Sequence, residues 1–245
     1  MGIRTVCCYI PRELLEAFGL DAPRLIPTGS VASESKGEAL SGPGACSWCK
    51  SALDSEDAEA LLIGGATCDQ MRRALELAGR ASGNGPIIIC VPKTRTTEAE
   101  NLYLEELKWM AAEIGRRTGR TLDSAALRRA IDAHDRLRRR IRELRLALSG
   151  ADFTALVHLH AALSAEKMNA YLDNHPPPSA RRPGIPILVA GSPVAPSEVR
   201  WLRLLEYDES TQAYTRNVGG IGAHSLFDPS MAPPGKDLLA YGYWA

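Results

Sequence analysis

Two short, fully apolar runs constrain the fold of this chain more than any other feature of its sequence. Residues 60–65, ALLIGG, and residues 85–92, GPIIICVP, are each bounded by glycine or proline. Runs of this length without alternating polar residues are typical of parallel strands buried on both faces. The residues between them have helical periodicity, and Thr67 and Asp69 are predicted to cap that helix. Strand, helix and strand in this order predict a βαβ unit, and therefore an α/β fold with a parallel sheet.

The residues before the first apolar run predict one helix and little else that is regular. Residues 9–19 begin with a proline-containing turn, continue with apolar residues at helical spacing and end at a glycine, which predicts a short helix. Residues 23–26 are a candidate strand. Residues 28–45 are rich in Gly, Ser and Glu, which predicts a loop. We assign residues 1–97 to a first α/β domain.

The rest of the chain is predicted to hold a helical region and then a second α/β unit. Residues 98–180 form the helical connecting region, because apolar residues recur at helical spacing through most of it. A proline-rich linker, 175–184, is predicted to be the domain boundary. A strand over 185–194, ending in a Gly-Ser-Pro turn, and a helix over 197–206 then follow. Residues 181–245 are thus predicted to be a second α/β domain, incomplete because it is too short for a doubly wound domain of ordinary size.

Charge and hydropathy argue against two classes of partner. Lys plus Arg and Asp plus Glu both number 29, so the protein as a whole has no attraction to nucleic acid or anionic membrane. Residues 128–145 contain eight arginines, but acidic residues at helical spacing offset them and favour a solvated helix face. No apolar run is long enough to span a membrane, and the N-terminus lacks the pattern of a signal peptide, so we expect a cytoplasmic protein.

The six cysteines carry most of the functional signal. Cys46 and Cys49 have the C-x-x-C spacing of redox pairs and of half a zinc or cluster site, and no second pair completes a zinc site. Cys68 follows an apolar strand and precedes a helix, where the positive helix end favours the thiolate that binds metal. Cys46 and Cys68 can therefore converge on one iron, although either can equally be a small packing residue. Cys7 and Cys8 are adjacent, a spacing poor for joint chelation.

The order of these motifs resembles one family. The motifs are YIPRELLEAFG, CSWCKSAL, DAEALLIGGATCDQMRRALE and IPILVAGSP, within residues 6–206. They resemble the subunits of 2-hydroxyacyl-CoA dehydratases, including the 2-hydroxyglutaryl-CoA dehydratase D-component, and of benzoyl-CoA reductases. The most specific element is Thr-Cys-Asp after an apolar strand, preceded by a cysteine with a basic residue four places on. Cys46 and Lys50 fit that element, together with Cys68.

The resemblance implies two flavodoxin-like α/β domains joined by helices, with a [4Fe–4S] cluster held by three cysteines. Cys46 and Cys68 match the first two cluster ligands. The third lies in the family's second domain and is not found here, because no cysteine follows Cys90. Cys90 ends the next strand and reaches the same sheet edge, but the family pattern does not use it. The resemblance assigns no catalytic residue.

The resemblance also implies partners and a reaction class. The partners are a homologous second subunit, an ATP-hydrolysing activator that delivers single low-potential electrons, and a CoA thioester substrate. The enzyme is a lyase or an oxidoreductase subunit. Two alternatives stay open: a degenerate, cluster-less structural partner subunit, and a thiol-redox protein using Cys46 and Cys49. We rank the redox protein last, because Trp48-Cys49 is not expected to open a helix as thioredoxin-like pairs do.

Overall fold

The sheet predicted from the two apolar runs is present and is parallel. A computed structural model describes residues 2–27, 32–54, 60–175, 185–189, 194–207 and 213–217. Within these ranges the first sheet has the strand order β1 (Ile3–Thr5), β2 (Leu61–Gly65) and β3 (Ile87–Ile89). All pairs in this sheet are parallel. Both apolar runs form strands, which confirms the mixed α/β class.

The edge strand β1 is a feature that the sequence did not predict. It has only three residues, and the polar Arg4 interrupts its apolar pattern. Residues 23–26 were predicted to be a strand, but they form only a single parallel bridge, between Arg24 and Thr5. That prediction is wrong, because the segment touches the sheet at one residue without extending a ladder along it.

Three helices cover one face of this sheet. They are α1 (Arg12–Ala17), α5 (Thr97–Thr118) and α6 (Ser124–Ala147). Their apolar residues, together with Ile63 of β2, form a core in which Leu14 and Leu107 are fully buried. The helix predicted over 9–19 is confirmed as α1, which begins directly after Pro11.

The opposite face is covered by α3 (Ser47–Leu53) and α4 (Asp69–Ser82), and α2 (Ala32–Ser41) packs on α3. The loop predicted over 28–45 is therefore wrong for the residues of α2. Gly37 contributed to that prediction, but here it permits close helix packing: a Cβ at this position would lie 2.0 Å from the carbonyl oxygen of Lys50. A glycine required by a tertiary contact resembles a loop signal in the sequence.

The described part of the predicted helical region consists of helices joined by short connections. After α5 and α6 come α7 (Gly150–Ala162) and α8 (Ala165–Asn174). The sequence treated residues 152–174 as one stretch, but Ser164 caps a new helix by accepting the Lys167 N–H. No helix in the described ranges is long and apolar enough to cross a membrane.

A second parallel pair lies near the C-terminal end of the described residues. Strands β4 (Ile185–Val189) and β5 (Ala213–Asn217) pair in parallel, and a short 3₁₀ turn leads into α9 (Val199–Tyr207). The strand expected over 185–194 is thus present over its first half, whereas β5 was not predicted. The Gly-Ser-Pro turn at 191–193, the linker at 176–184 and the tail from 218 lie outside the described residues.

Candidate functional site

Cysteines follow each strand of the first sheet at the same edge. Cys7 comes two residues after β1, Cys68 three residues after β2, and Cys90 directly after β3. Because the strands are parallel, these positions are all at the carboxyl edge, where α/β sheets bind their ligands. Cys68 and Cys90 are exposed and Cys7 is buried, and all three are free thiols.

Cys46 and Cys68 occupy equivalent positions at the starts of two helices. Cys46 is the N-cap of α3, and its sulfur accepts the backbone N–H of Cys49 at 3.4 Å. Cys68 is the N-cap of α4, and its sulfur accepts the N–H of Met71 at 3.3 Å. The prediction that Thr67 or Asp69 caps α4 is wrong, because the extended backbone of Cys68 directs its own sulfur to the helix amides. Each sulfur is thus held in place by a backbone amide of the first helical turn.

The two helix starts are joined by one side chain. The amide oxygen of Gln70 accepts the backbone N–H of Cys46 at 3.2 Å. Burial raises the pKa of Cys49, as do the hydrogen bond to Cys46 and the charges of Cys46 and Cys68. Cys68 is therefore within electrostatic reach of the Cys46–Cys49 pair. Nothing in the sequence singled out Gln70, which is one more exposed polar residue on an amphipathic helix.

The basic residue four places after Cys46 has a structural role. Lys50 is buried, and its Nζ donates to the Glu38 carboxylate at 2.8 Å and to the carbonyl of Pro43 at 3.2 Å. Pro43 lies in the short loop between α2 and Cys46. Lys50 thus fixes both the α2–α3 contact and the loop that delivers Cys46 to the sheet edge.

The donor set fits an iron–sulfur cluster only in part. Exposed thiols at two helix starts, Cys46 and Cys68, are suitable thiolate ligands. Among the residues that the structure describes, however, no group of three or more His, Cys, Asp or Glu side chains is arranged to hold a metal ion. The neighbouring Cys90 is exposed, and its backbone N–H donates to the Glu106 carboxylate at 2.9 Å. The described part of the chain therefore does not complete a ligand set.

One expectation about the C-x-x-C pair is wrong. Trp48 and Cys49 were expected not to open a helix, yet α3 begins at Ser47 with Cys46 as its cap. Cys46 is exposed and Cys49 is buried. An exposed sulfur at a helix start above a buried one is the arrangement that dithiol redox pairs use.

The arginine-rich segment of α6 forms intramolecular ion pairs with α1. Arg138 donates to Glu13 of α1 and to Asp135 of its own helix, both at 2.6 Å. His134 is buried, with its Nε2 3.1 Å from Glu16 and its Nδ1 3.8 Å from Glu13. These contacts stabilise the α1–α6 interface and give the inward side of the segment a structural role.

A comparison with protein-family models matches residues 7–220 to the 2-hydroxyglutaryl-CoA dehydratase D-component. The matched range contains all six cysteines and every strand of the described structure except β1. The match confirms the resemblance inferred from the motifs. No curated protein matches the chain.

Proposed function

This chain belongs to the 2-hydroxyglutaryl-CoA dehydratase D-component family, and on that premise we propose that it is the iron–sulfur subunit of a 2-hydroxyacyl-CoA dehydratase or benzoyl-CoA reductase-type enzyme. Membership makes it a component of a dehydratase-type complex. The observation that supports the finer assignment is the pair of N-cap thiols, Cys46 and Cys68, at the carboxyl edge of a parallel sheet.

In this proposal Cys46 and Cys68 are ligands of a [4Fe–4S] cluster, which when bound supplies single low-potential electrons. The chain's own groups prepare the two thiols for that role. The N–H groups of Cys49 and Met71 donate to the two sulfurs and orient them, and Gln70 holds the two helix starts together. Lys50 fixes the loop before Cys46 through its contacts with Glu38 and Pro43.

The proposed architecture and partners follow the family. We propose two flavodoxin-like α/β domains, 1–97 and 181–245, joined by the helical region 98–180, and the parallel β4–β5 pair supports the second of them. The proposed partners are a homologous second subunit, an ATP-hydrolysing activator and a CoA thioester. A cytoplasmic location fits a chain whose six cysteines are all free.

Anaerobic reconstitution with iron and sulfide tests the cluster. We expect the wild-type chain to bind both and to gain visible charge-transfer absorbance. Cys46→Ser and Cys68→Ser should each lose most of the bound iron and the absorbance, whereas Cys90→Ser, which changes another exposed cysteine at the same edge, should retain them. If Cys68→Ser keeps the wild-type iron content and spectrum, the assignment fails.

A cluster-less structural partner subunit is the second candidate. It is favoured by the incomplete ligand group among the described residues. It predicts that the reconstituted wild-type chain stays colourless and still binds a homologous subunit.

A thiol-redox function of Cys46 and Cys49 is the third candidate, favoured by their exposed and buried positions at the start of α3. It predicts that Cys49→Ser traps a mixed disulfide at Cys46 in a metal-free sample. An iron-loaded wild-type chain in which Cys46 resists alkylation would contradict it.

A further inference from the structure

The turn between β1 and α1 carries two adjacent cysteines, Cys7 and Cys8. The turn is closed by the Ile10 N–H, which donates to the Cys7 carbonyl at 3.4 Å. Cys7 is buried and Cys8 is half-buried. The two cysteines are therefore neighbours in one turn, and each side chain influences the pKa of the other.

The surroundings of the Cys7 sulfur favour a thiolate. The Tyr9 N–H donates to it at 3.4 Å, and the Thr67 hydroxyl lies 3.6 Å away. Arg24 adds a nearby positive charge, and its Nε is buried without a hydrogen-bond partner among the described residues. The adjacent Cys8 contributes most, and with these groups it outweighs burial and lowers the pKa of Cys7 to about 6.

The adjacent Cys7 and burial raise the pKa of Cys8. The surroundings thus favour the thiolate at Cys7 and the thiol at Cys8. This division of roles matters because the thiolate is the nucleophile in sulfur oxidation, and a neighbouring thiol resolves the oxidised sulfur.

We propose that Cys7 and Cys8 are a site of reversible oxidation, at which a hydroperoxide converts the dithiol into a vicinal disulfide. The Cys7 sulfur attacks the terminal peroxide oxygen, the O–O bond breaks, and the leaving oxygen takes a proton to form an alcohol or water. The Cys8 sulfur then attacks the resulting sulfenic acid, so that an S–S bond forms and an S–O bond breaks. The hydroxyl of the sulfenic acid leaves with the Cys8 proton as water. The dithiol loses two electrons and two protons, and the peroxide is reduced.

A disulfide at this site should be easily reversed. Neighbouring Cα atoms lie about 3.8 Å apart, which is shorter than the roughly 4.4–6.8 Å usual for disulfides. The bond would therefore be strained, and strained disulfides are readily reduced by thiols. The site also lies beside Thr67, the residue before Cys68, so oxidation would occur next to the candidate cluster ligand.

Peptide mapping of the full wild-type chain tests the proposal without any substitution. The reduced chain is treated with one equivalent of hydrogen peroxide, then alkylated and digested with trypsin. Cleavage after Arg4 and Arg12 places both cysteines on one peptide, TVCCYIPR. We expect that peptide to lack two hydrogens and to carry no alkyl group, and to become alkylatable after treatment with dithiothreitol. Cys90, on the separate peptide 81–93, should remain alkylated and serves as the exposed control.

Two variants separate the roles of the cysteines. Cys8→Ser keeps a hydroxyl donor but cannot resolve the sulfenic acid, so dimedone should label Cys7. Cys7→Ser should give neither a dimedone adduct nor a disulfide. The proposal is overturned if the peptide with both cysteines is oxidised no faster than Cys90, if Cys7 pairs with a cysteine of another peptide, or if Cys8→Ser gives no dimedone adduct. None of these readouts depends on iron, so failure here leaves the proposed cluster function untouched.

The pH dependence of alkylation distinguishes a reactive Cys7 from a cysteine that only packs in the core. In the wild-type chain the alkylation rate of Cys7 should rise with a midpoint near pH 6, well below the ordinary thiol value of about 8.5. Arg24→Gln removes the nearby positive charge and should move that midpoint upward. A midpoint that is at the ordinary value in the wild-type chain would contradict the proposal.

Discussion

The side chain of Gln70 accepts a hydrogen bond from the backbone N–H of Cys46 at 3.2 Å. Gln70 lies in the first turn of α4, two residues after the cap Cys68. This single bond therefore connects the loop of one candidate ligand to the helix of the other. Because the bond is exposed, we assign it a free energy of about 1 kcal/mol or less, which influences local geometry more than global stability.

The first prediction concerns this bond. Gln70→Leu keeps the size of the side chain but removes the acceptor, so the loop before Cys46 should move more freely. Loss of about 1 kcal/mol lowers the population of the joined geometry about fivefold. A short bifunctional thiol reagent should then link Cys46 to Cys68 about fivefold more slowly, as measured by mass spectrometry. Gln70→Glu retains an acceptor oxygen and should link at close to the wild-type rate. Equal rates for the Leu and wild-type chains would show that the bond does not position the thiols.

The second prediction concerns Gly37, where α2 crosses α3. A Cβ at Gly37 would lie 2.0 Å from the Lys50 carbonyl oxygen and 2.6 Å from the Lys50 Cα, and backbone atoms cannot turn aside as a flexible side chain can. Gly37→Ala should destabilise the chain by roughly 1–3 kcal/mol through overpacking, measured by urea unfolding. Gly44 has no atom within 4 Å of an added Cβ, so Gly44→Ala is the matched control and should change stability little. Similar losses in both variants would contradict a specific role for the crossing.

Some elements of the fold could be predicted from the sequence and others could not. β2, β3 and α4 were predictable because local patterns determine them: two apolar runs and an amphipathic helix. β1 was not, because three residues with a polar centre carry no period. α2 was mistaken for a loop because Gly37 serves a tertiary contact that no local pattern reveals.

The candidate site was predictable to a similar extent. The placement of Cys68 at a strand–helix junction followed from the flanking apolar run and helix. The capping role of Cys46 did not, because α3 is short and cysteine is not a preferred N-cap residue, whereas the adjacent Ser47 is. The pKa of Cys7 is lowered first by the adjacent Cys8, which the sequence shows, and further by Thr67, which is 60 residues away in the sequence and is revealed only by the fold.

The third prediction concerns acid stability. Burial alone would raise the pKa of Glu13. The charges of His134 and Arg138 outweigh burial and lower the pKa from 4.5 to about 2. Its carboxylate thus contributes stability that is fully present above pH 4.5 and is lost as pH falls toward 2, on the order of 3 kcal/mol. Glu13→Gln should unfold with a flatter pH dependence across that window, measured by denaturant titration at several pH values. Glu105→Gln breaks an exposed pair with Lys108 on α5. It should leave the loss of unfolding free energy between pH 4.5 and 2 unchanged. If the unfolding free energy of Glu13→Gln falls with pH as steeply as that of the wild type, this assignment is wrong.

The fourth prediction concerns the buried amine of Lys50. Its side chain is 9% exposed, whereas that of its partner Glu38 is 49% exposed. Removing the carboxylate therefore leaves a nearly buried ammonium whose remaining acceptor among the described residues is the Pro43 carbonyl, whereas removing the amine leaves a carboxylate that water can reach. Glu38→Ala should thus cost about 1–3 kcal/mol, and Lys50→Met, which fills the same space without a charge, should cost less.

A double-mutant cycle distinguishes this asymmetry from simple loss of packing. Once the amine is absent, Glu38 has no partner to lose, so the double variant should be about as stable as Lys50→Met alone. The coupling between the two sites should then be about 1 kcal/mol or more in urea unfolding. The exposed Lys108–Glu105 pair provides the reference cycle and should show a coupling below about 0.5 kcal/mol. If the Lys50 and Glu38 substitutions are additive, the buried amine does not depend on Glu38, and the loop before Cys46 must be fixed by other contacts.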